Sequence, residues 1–144
     1  MGTIEHTGSV RVYGGRTGRT ESPDGNLDIQ LRRPATATAD DPGTTPEQLF
    51  AAAYAACFSG AIGVVARREK LTLGDIEIDS AVSLIKEDGD AGHTIAVRLD
   101  VITAGDFTQE QLAHIVREAH NTCPYSKATR GNIPVELLAA GRPV

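Results

Sequence analysis

Hydrophobic and polar positions alternate with period two in several stretches of the chain. Leu27, Ile29 and Leu31 alternate with Asp28, Gln30 and Arg32. Ile76, Ile78, Ser80, Val82 and Leu84 mark one face of residues 75–85, and Ile95, Val97, Leu99 and Val101 one face of 94–102. Such alternation is the mark of half-buried strands. Residues 4–13 and 133–138 read as two more. The polar run Glu87-Asp88-Gly89-Asp90-Ala91-Gly92 joins the two longest strands as a hairpin. Ser22-Pro23-Asp24-Gly25-Asn26 reads as a turn, because Pro presets φ and Gly or Asn accepts positive φ. Gly14 to Gly18 and residues 34–45 read as loops.

The period changes to that of a helix at Thr45. Thr45 is placed as N-cap, Pro46 at the first helical position, and Gln48 completes a capping box. The helix should run to about Lys70, with Arg67, Arg68 and Lys70 at the negative end of its dipole. It is apolar on nearly every side, so one face of a sheet cannot cover it. Ala53, Ala56, Gly60 and Gly63 would let a second backbone come close. Thr108 and Gln111 form another capping box, with Leu112, Ile115, Val116 and Ala119 on one face of the helix that follows. Thr122 to Ala128 reads as a short helical turn ending near Gly131. The order ββ-α-ββ-α-α-β is an α+β pattern, and its 144 residues form a single domain, 1–144.

Charge narrows the function. Lys plus Arg is 14 against 19 Asp plus Glu, a net charge of −5, and aromatics are only 4%. Nucleic acids and anionic membranes call for a basic footprint, and base stacking calls for aromatic platforms. Neither partner is expected. The charge-free run Leu49 to Ala66 reaches the length of a membrane span, but ten of its 18 residues are Ala, Gly or Ser. A buried helix of a soluble protein is the better reading. Met1-Gly2-Thr3-Ile4-Glu5-His6 lacks the basic and apolar regions of a secretory signal, so the expected compartment is the cytoplasm.

The two cysteines are Cys57 and Cys123. In a reducing compartment such a pair is catalytic, metal-binding or simply buried. Cys57, inside the apolar helix, reads by itself as a small core hydrophobe. Cys123 precedes Pro124 at the expected start of the short helix, where free N–H groups and the dipole favour a thiolate. His120-x-x-Cys123 has metal-ligand spacing, but the other histidines, His6, His93 and His114, are scattered, and no metal or cofactor is expected. Arg16 in its Gly-rich turn and Glu47 in the first helical turn have ordinary roles open to them, in solvent and against the dipole.

Taken together, these stretches resemble the organic hydroperoxide resistance (Ohr) family within the wider Ohr/OsmC group. Gly14-Gly15-Arg16-x-Gly18 and SPDGNLDIQL match its N-terminal pattern. Thr45-Pro46-Glu47-Gln48-Leu49-Phe50-Ala51-Ala52 with Ala55-Ala56-Cys57-Phe58 matches its first cysteine motif, and Cys123-Pro124-Tyr125-Ser126 with Ala128-Thr129-Arg130-Gly131-Asn132-Ile133 its second. Thr45 stands where the family usually has Asn, Ala53 where it often has Gly, and Tyr13 where it has a smaller residue. The second motif points to the Ohr rather than the OsmC branch.

The resemblance implies an OsmC/Ohr-like fold, with antiparallel sheets wrapped around a long central helix in an intertwined homodimer. It implies a thiol-dependent peroxidase, peroxiredoxin-like in its chemistry, that reduces organic hydroperoxides to alcohols. Cys57 would be the peroxidatic and Cys123 the resolving cysteine, with Arg16 and Glu47 as the polar pair of the reactive thiol. A lipoylated protein or other dithiol would reduce the resulting disulfide. Phe50, Tyr54 and Phe58, placed by helix position, would line the substrate site. The alternatives are an OsmC-branch peroxidase of broader substrate range, or a non-catalytic redox-sensing or binding protein on the same fold.

Overall fold

The computed structural model describes residues 2–89 and 91–144; Met1, and Asp90 of the expected hairpin, lie outside the described residues. The chain divides into two compact units, up to Leu49 and from Phe50 onward.

The first unit is built on an antiparallel sheet of three short strands, β1 (Arg11–Tyr13), β2 (Arg19–Glu21) and β3 (Asp28–Gln30), in that order. The strand expected over 4–13 is confined to its last three residues. Its partner β2 is only three residues long, with Arg11 opposite Glu21 and Tyr13 opposite Arg19. At Ser22 the chain turns away, its N–H bonding the Leu27 carbonyl at 2.8 Å, so among the described residues no strand runs beside 4–10. The turn forms as its residues dictate: Gly25 takes φ +76°, and the Asp24 carboxylate accepts the Asn26 N–H at 3.0 Å. Beyond β3, Leu31 is buried and bridges to Thr44.

Helix α1 (Pro46–Glu69) starts at the expected cap. The Gln48 N–H donates to Thr45 Oγ1 at 3.2 Å, and the Thr45 N–H donates back to Gln48 Oε1 at 3.0 Å. It ends in a Schellman closure: Lys70 adopts φ +57°, and the Leu71 N–H reaches the Ala66 carbonyl at 2.9 Å.

The second unit holds most of α1 and a four-stranded sheet. Strands β4 (Ile76–Lys86) and β5 (His93–Thr103) pair in full register, from Ile76 opposite Thr103 to Lys86 opposite His93. Helices α2 (Gln109–Thr122) and α3 (Pro124–Thr129) follow, then β6 (Val135–Ala139) and β7 (Arg142–Pro143), in sheet order β4-β5-β6-β7. The sheet is antiparallel except between β5 and β6, which run parallel with Val97 opposite Val135. The two-helix crossover allows this, since parallel neighbours need a long connection. Strand β7 was not expected; a tight turn with positive φ at Ala140 and Gly141 makes it, held by the Gly141 N–H on the Asp100 carboxylate at 2.9 Å.

The core of this unit joins Val97, Leu99 and Val101 of β5 to Leu112, Ile115, Val116 and Ala119 of α2 and to Tyr54, Phe58, Ile62 and Val65 of α1. Ser80 of β4 donates its hydroxyl to the Ala51 carbonyl of α1 at 2.9 Å. By length and composition α1 could cross a membrane, but Tyr54, Phe58 and Val65 are wholly buried here as core residues. Its opposite face, Ala52, Ala56, Gly60 and Val64 at intervals of four, is exposed.

Candidate active site: a paired thiol beside a buried hydroxyl chain

Cys57 sits in α1 between Tyr54 and Phe58 and is half-buried. Cys123 is wholly buried. It does not lie in the first turn of α3, as the sequence suggested, but at the joint of two helices. Its N–H closes α2 on the Ala119 carbonyl at 2.8 Å, and its carbonyl accepts the Lys127 N–H at 3.0 Å to open α3. Pro124 is the cause. A residue before proline is driven out of the helical region, and Cys123 takes φ −64°, ψ 126°. The two sulfurs are 3.6 Å apart and unbonded, with the Cys123 thiol donating to Cys57 Sγ. A disulfide of about 2.0 Å needs the sulfurs to close by roughly 1.5 Å.

Burial pushes the Cys57 thiol above its ordinary range, because a thiolate there gives up hydration. The backbone N–H of Tyr125, in the first turn of α3, opposes that rise, and the neighbouring Cys123 adds to it. The open end of α3 thus serves Cys57, not Cys123.

Aromatic rings surround this turn of α1. Tyr54 lies 6.3 Å from Phe50, 6.5 Å from Phe58 and 5.8 Å from Tyr125, centroid to centroid. Tyr54 and Phe58 have no exposed surface, Phe50 is half-buried, and Tyr125 is 39% exposed. The accessible aromatic surface is therefore that of Phe50 and Tyr125, the second of which was missed in the sequence.

The Tyr54 hydroxyl lies 2.9 Å from Ser126 Oγ and 3.0 Å from Thr129 Oγ1, and Ser126 Oγ lies 2.9 Å from His120 Nδ1. Burial pushes the His120 pKa down, aided by the Arg130 charge, so the ring is neutral near pH 7. The signal for this chain was present: a tyrosine inside an apolar helix needs a partner for its O–H, and Ser126 and Thr129 are one turn apart. Among the described residues, no three His, Cys, Asp or Glu side chains gather as a metal site would require.

Arg16 and Glu47 meet within the first unit. Arg16 lies in a 3₁₀ turn, Gly15–Thr17, closed by Gly18. A Cβ on Gly18 would come within 1.8 Å of the Tyr13 carbonyl oxygen, which restricts that position to glycine. The guanidinium grips both carboxylate oxygens, Nη2 to Oε1 at 2.7 Å and Nη1 to Oε2 at 3.1 Å. Arg16 is 42% exposed and Glu47 15%. The Arg16 bond and charge hold the Glu47 carboxyl below its ordinary range, and Glu47 raises the guanidinium in turn.

Fold and site define an α+β protein with two thiols poised against each other. Residues 38–138, which include Glu47, Cys57 and Cys123 but not Arg16, match the OsmC-like protein family. Organic hydroperoxide resistance protein OhrB of Bacillus subtilis is 46% identical over 131 residues, covering 91% of this chain and 95% of that protein. The organic hydroperoxide resistance protein of Xanthomonas axonopodis pv. citri is 45% identical over 139 residues, covering 95% and 96%. The crystal structure of the Bacillus subtilis OhrB superposes with a TM-score of 0.87, covering 94% of this chain and 99% of that one. The chain belongs to the OsmC/Ohr family.

Proposed function

We propose that the protein is a thiol-dependent peroxidase that reduces organic hydroperoxides to alcohols. The observation that carries the reading is the 3.6 Å approach of Cys57 Sγ and Cys123 Sγ, the only two cysteines of the chain. Relatives named for organic hydroperoxide resistance support the substrate class.

The Cys57 thiolate attacks the distal oxygen of ROOH. The O–O bond breaks, Cys57 becomes a sulfenic acid, and RO⁻ takes a proton from water to leave as the alcohol. Cys123 then attacks the sulfenic sulfur as its thiolate. The S–S bond forms, and the departing hydroxide takes up the proton that the Cys123 thiol released on ionising and leaves as water. An external dithiol restores both thiols by two exchanges; a lipoyl group on a partner protein fits this role. Arg16 supplies the positive charge and N–H donors that a buried thiolate and a peroxide need, and Glu47 holds it in place. Phe50, in front of Tyr54 and Phe58, gives an apolar wall that favours an alkyl peroxide over hydrogen peroxide. The protein works as a homodimer in the cytoplasm, two copies pairing through the exposed small-residue face of α1.

The test is steady-state turnover of cumene hydroperoxide and of hydrogen peroxide with dihydrolipoamide. Wild type is expected to prefer the organic peroxide, and Cys57→Ser to be inactive. Equal efficiency on both peroxides refutes the substrate class, and an active Cys57→Ser refutes the mechanism.

A further inference from the structure

The buried chain of hydroxyls beside the two thiols has a direction that can be read by counting protons. It makes four contacts: His120 Nδ1 with Ser126 Oγ, Ser126 Oγ with Tyr54 Oη, Tyr54 Oη with Thr129 Oγ1, and Thr129 Oγ1 with the Ser126 carbonyl at 3.3 Å. Each contact needs one donor, and the three hydroxyls supply three protons. The carbonyl can only accept. The fourth proton must come from Nδ1 of His120. Donation then runs one way, from Nδ1–H to Ser126, to Tyr54, to Thr129, to the carbonyl. Among the described residues no buried side-chain N or O is left without a partner, which this ordering accounts for. A neutral ring that donates from Nδ1 keeps a bare Nε2.

The chain also links the two turns that carry the sulfurs. Tyr54 lies one turn before Cys57 on α1, and His120 one turn before Cys123 on α2. Between them Ser126 and Thr129 occupy one face of α3, a helix of six residues with no side-chain cap at its start. So short a helix does not hold itself. Its position, and with it the Cys123 joint and the Tyr125 N–H on Cys57, depends on what grips it from outside. Tyr54 and Ser126 are wholly buried and Thr129 is 5% exposed, so water cannot replace a missing partner.

We propose that His120, Ser126 and Tyr54 are positioning residues for the resolving step, holding Cys123 within reach of the Cys57 sulfenic acid through one directional hydrogen-bond chain. The proposal rests on the peroxidase reading above and adds to it residues that touch no reacting atom.

The experiment follows one turnover of the reduced protein with cumene hydroperoxide. Sulfenic acid is trapped with dimedone, and disulfide is counted by non-reducing mass spectrometry. In Ser126→Ala conversion of sulfenate to disulfide is expected to slow about tenfold, the loss of one to two buried hydrogen bonds, while the first step, whose thiol also takes the Tyr125 N–H, slows by less than that. Tyr54→Phe should also accumulate trappable sulfenate. His120→Leu should behave like Ser126→Ala, whereas His120→Asn, whose Nδ2 donates from the place of Nδ1, should restore resolution. That rescue separates positioning from general loosening, and it stands if Ser126→Ala fails to fold. Nitrogen-15 NMR of the resting protein should show His120 protonated at Nδ1 and bare at Nε2. Unchanged sulfenate lifetimes in Ser126→Ala and His120→Leu, or a ring protonated at Nε2 alone, overturn the proposal. A wild type that forms neither sulfenate nor disulfide overturns the peroxidase reading beneath it, and this proposal with it.

Discussion

Burial and a cation pull the Cys57 thiol in opposite directions, and Arg16→Ala separates them. In the protein's own second unit the largest influence on Cys57 is desolvation, which raises its pKa. A thiol reactive at neutral pH needs a nearby positive charge, the role proposed for Arg16. An opposite charge within about 4–6 Å lowers an acid by about 1–3 pH units. Arg16 is not a bare cation, since both oxygens of Glu47 are bonded to it at 2.7 and 3.1 Å. On the proposed role, the lower end of that range is the expectation. Arg16→Ala is therefore expected to move the midpoint of thiolate formation up by about one pH unit. The assay is iodoacetamide alkylation against pH, in a Cys123→Ala background so that one thiol reports. Below both midpoints the thiolate fraction falls about tenfold, but a more basic sulfur is a better nucleophile by about threefold, so the rate falls only about threefold. The midpoint is the cleaner readout. Glu47→Gln provides the control. If Glu47 mainly cancels charge, its loss lowers the midpoint; if it mainly holds Arg16, the midpoint rises with that of Arg16→Ala. A midpoint in Arg16→Ala that coincides with the parent's refutes the electrostatic role.

Phe58→Ala removes a wholly buried ring from the core of the second unit; it is expected to cost about 3–5 kcal/mol, read as a lower midpoint in urea unfolding. Gly60→Glu places a charge on the exposed face of α1. If that face is the pairing surface, sedimentation at micromolar concentration shows twice the chain mass for wild type and the single mass for the variant; an unaffected dimer places the interface elsewhere.

The parts of the fold that were legible are those in which local chemistry decides. Thr45 with Gln48 and Thr108 with Gln111 specify helix starts through bonds spanning three residues, and both boxes form. The alternation in β4 and β5 fixes which face is buried. What the pattern could not specify is partnership. The parallel pairing of β6 with β5 joins Val135 to Val97 across two helices, and no period within 133–138 distinguishes a parallel from an antiparallel neighbour. Residues 4–10 illustrate the converse, since a segment of strand-like composition becomes a strand only where a second one runs beside it. At the site, both thiols and the Arg16–Glu47 pair were named through a resemblance. Ser126 stands in the sequence only inside the second cysteine motif and His120 only in the His120-x-x-Cys123 spacing, and neither setting points to a hydrogen-bond role beside the thiols. Their place follows from the buried Tyr54 hydroxyl, which the fold must satisfy.

A nucleophile at the centre of a core helix meets two requirements that conflict, and sulfur is suited to both. While protonated, Cys57 packs as a small hydrophobe and costs α1 little. The same surroundings resist its ionisation. Ser, whose hydroxyl would need a permanent partner there, could satisfy neither requirement. On the proposed mechanism, groups that come from other elements resolve the conflict. One is fixed: the Tyr125 N–H exists because Pro124 ends α2 and starts α3 one residue after Cys123. Thus the break that places the second sulfur also presents an amide to the first. The other is adjustable: Arg16 stands 42% exposed on a turn of three residues and is held by one carboxylate. On the proposed mechanism, this division gives the fixed donor to the thiol in every state and leaves the charged one able to meet the peroxide. On that reading the hydroxyl chain behind α3 serves resolution, and the exposed Arg16 serves the attack on substrate.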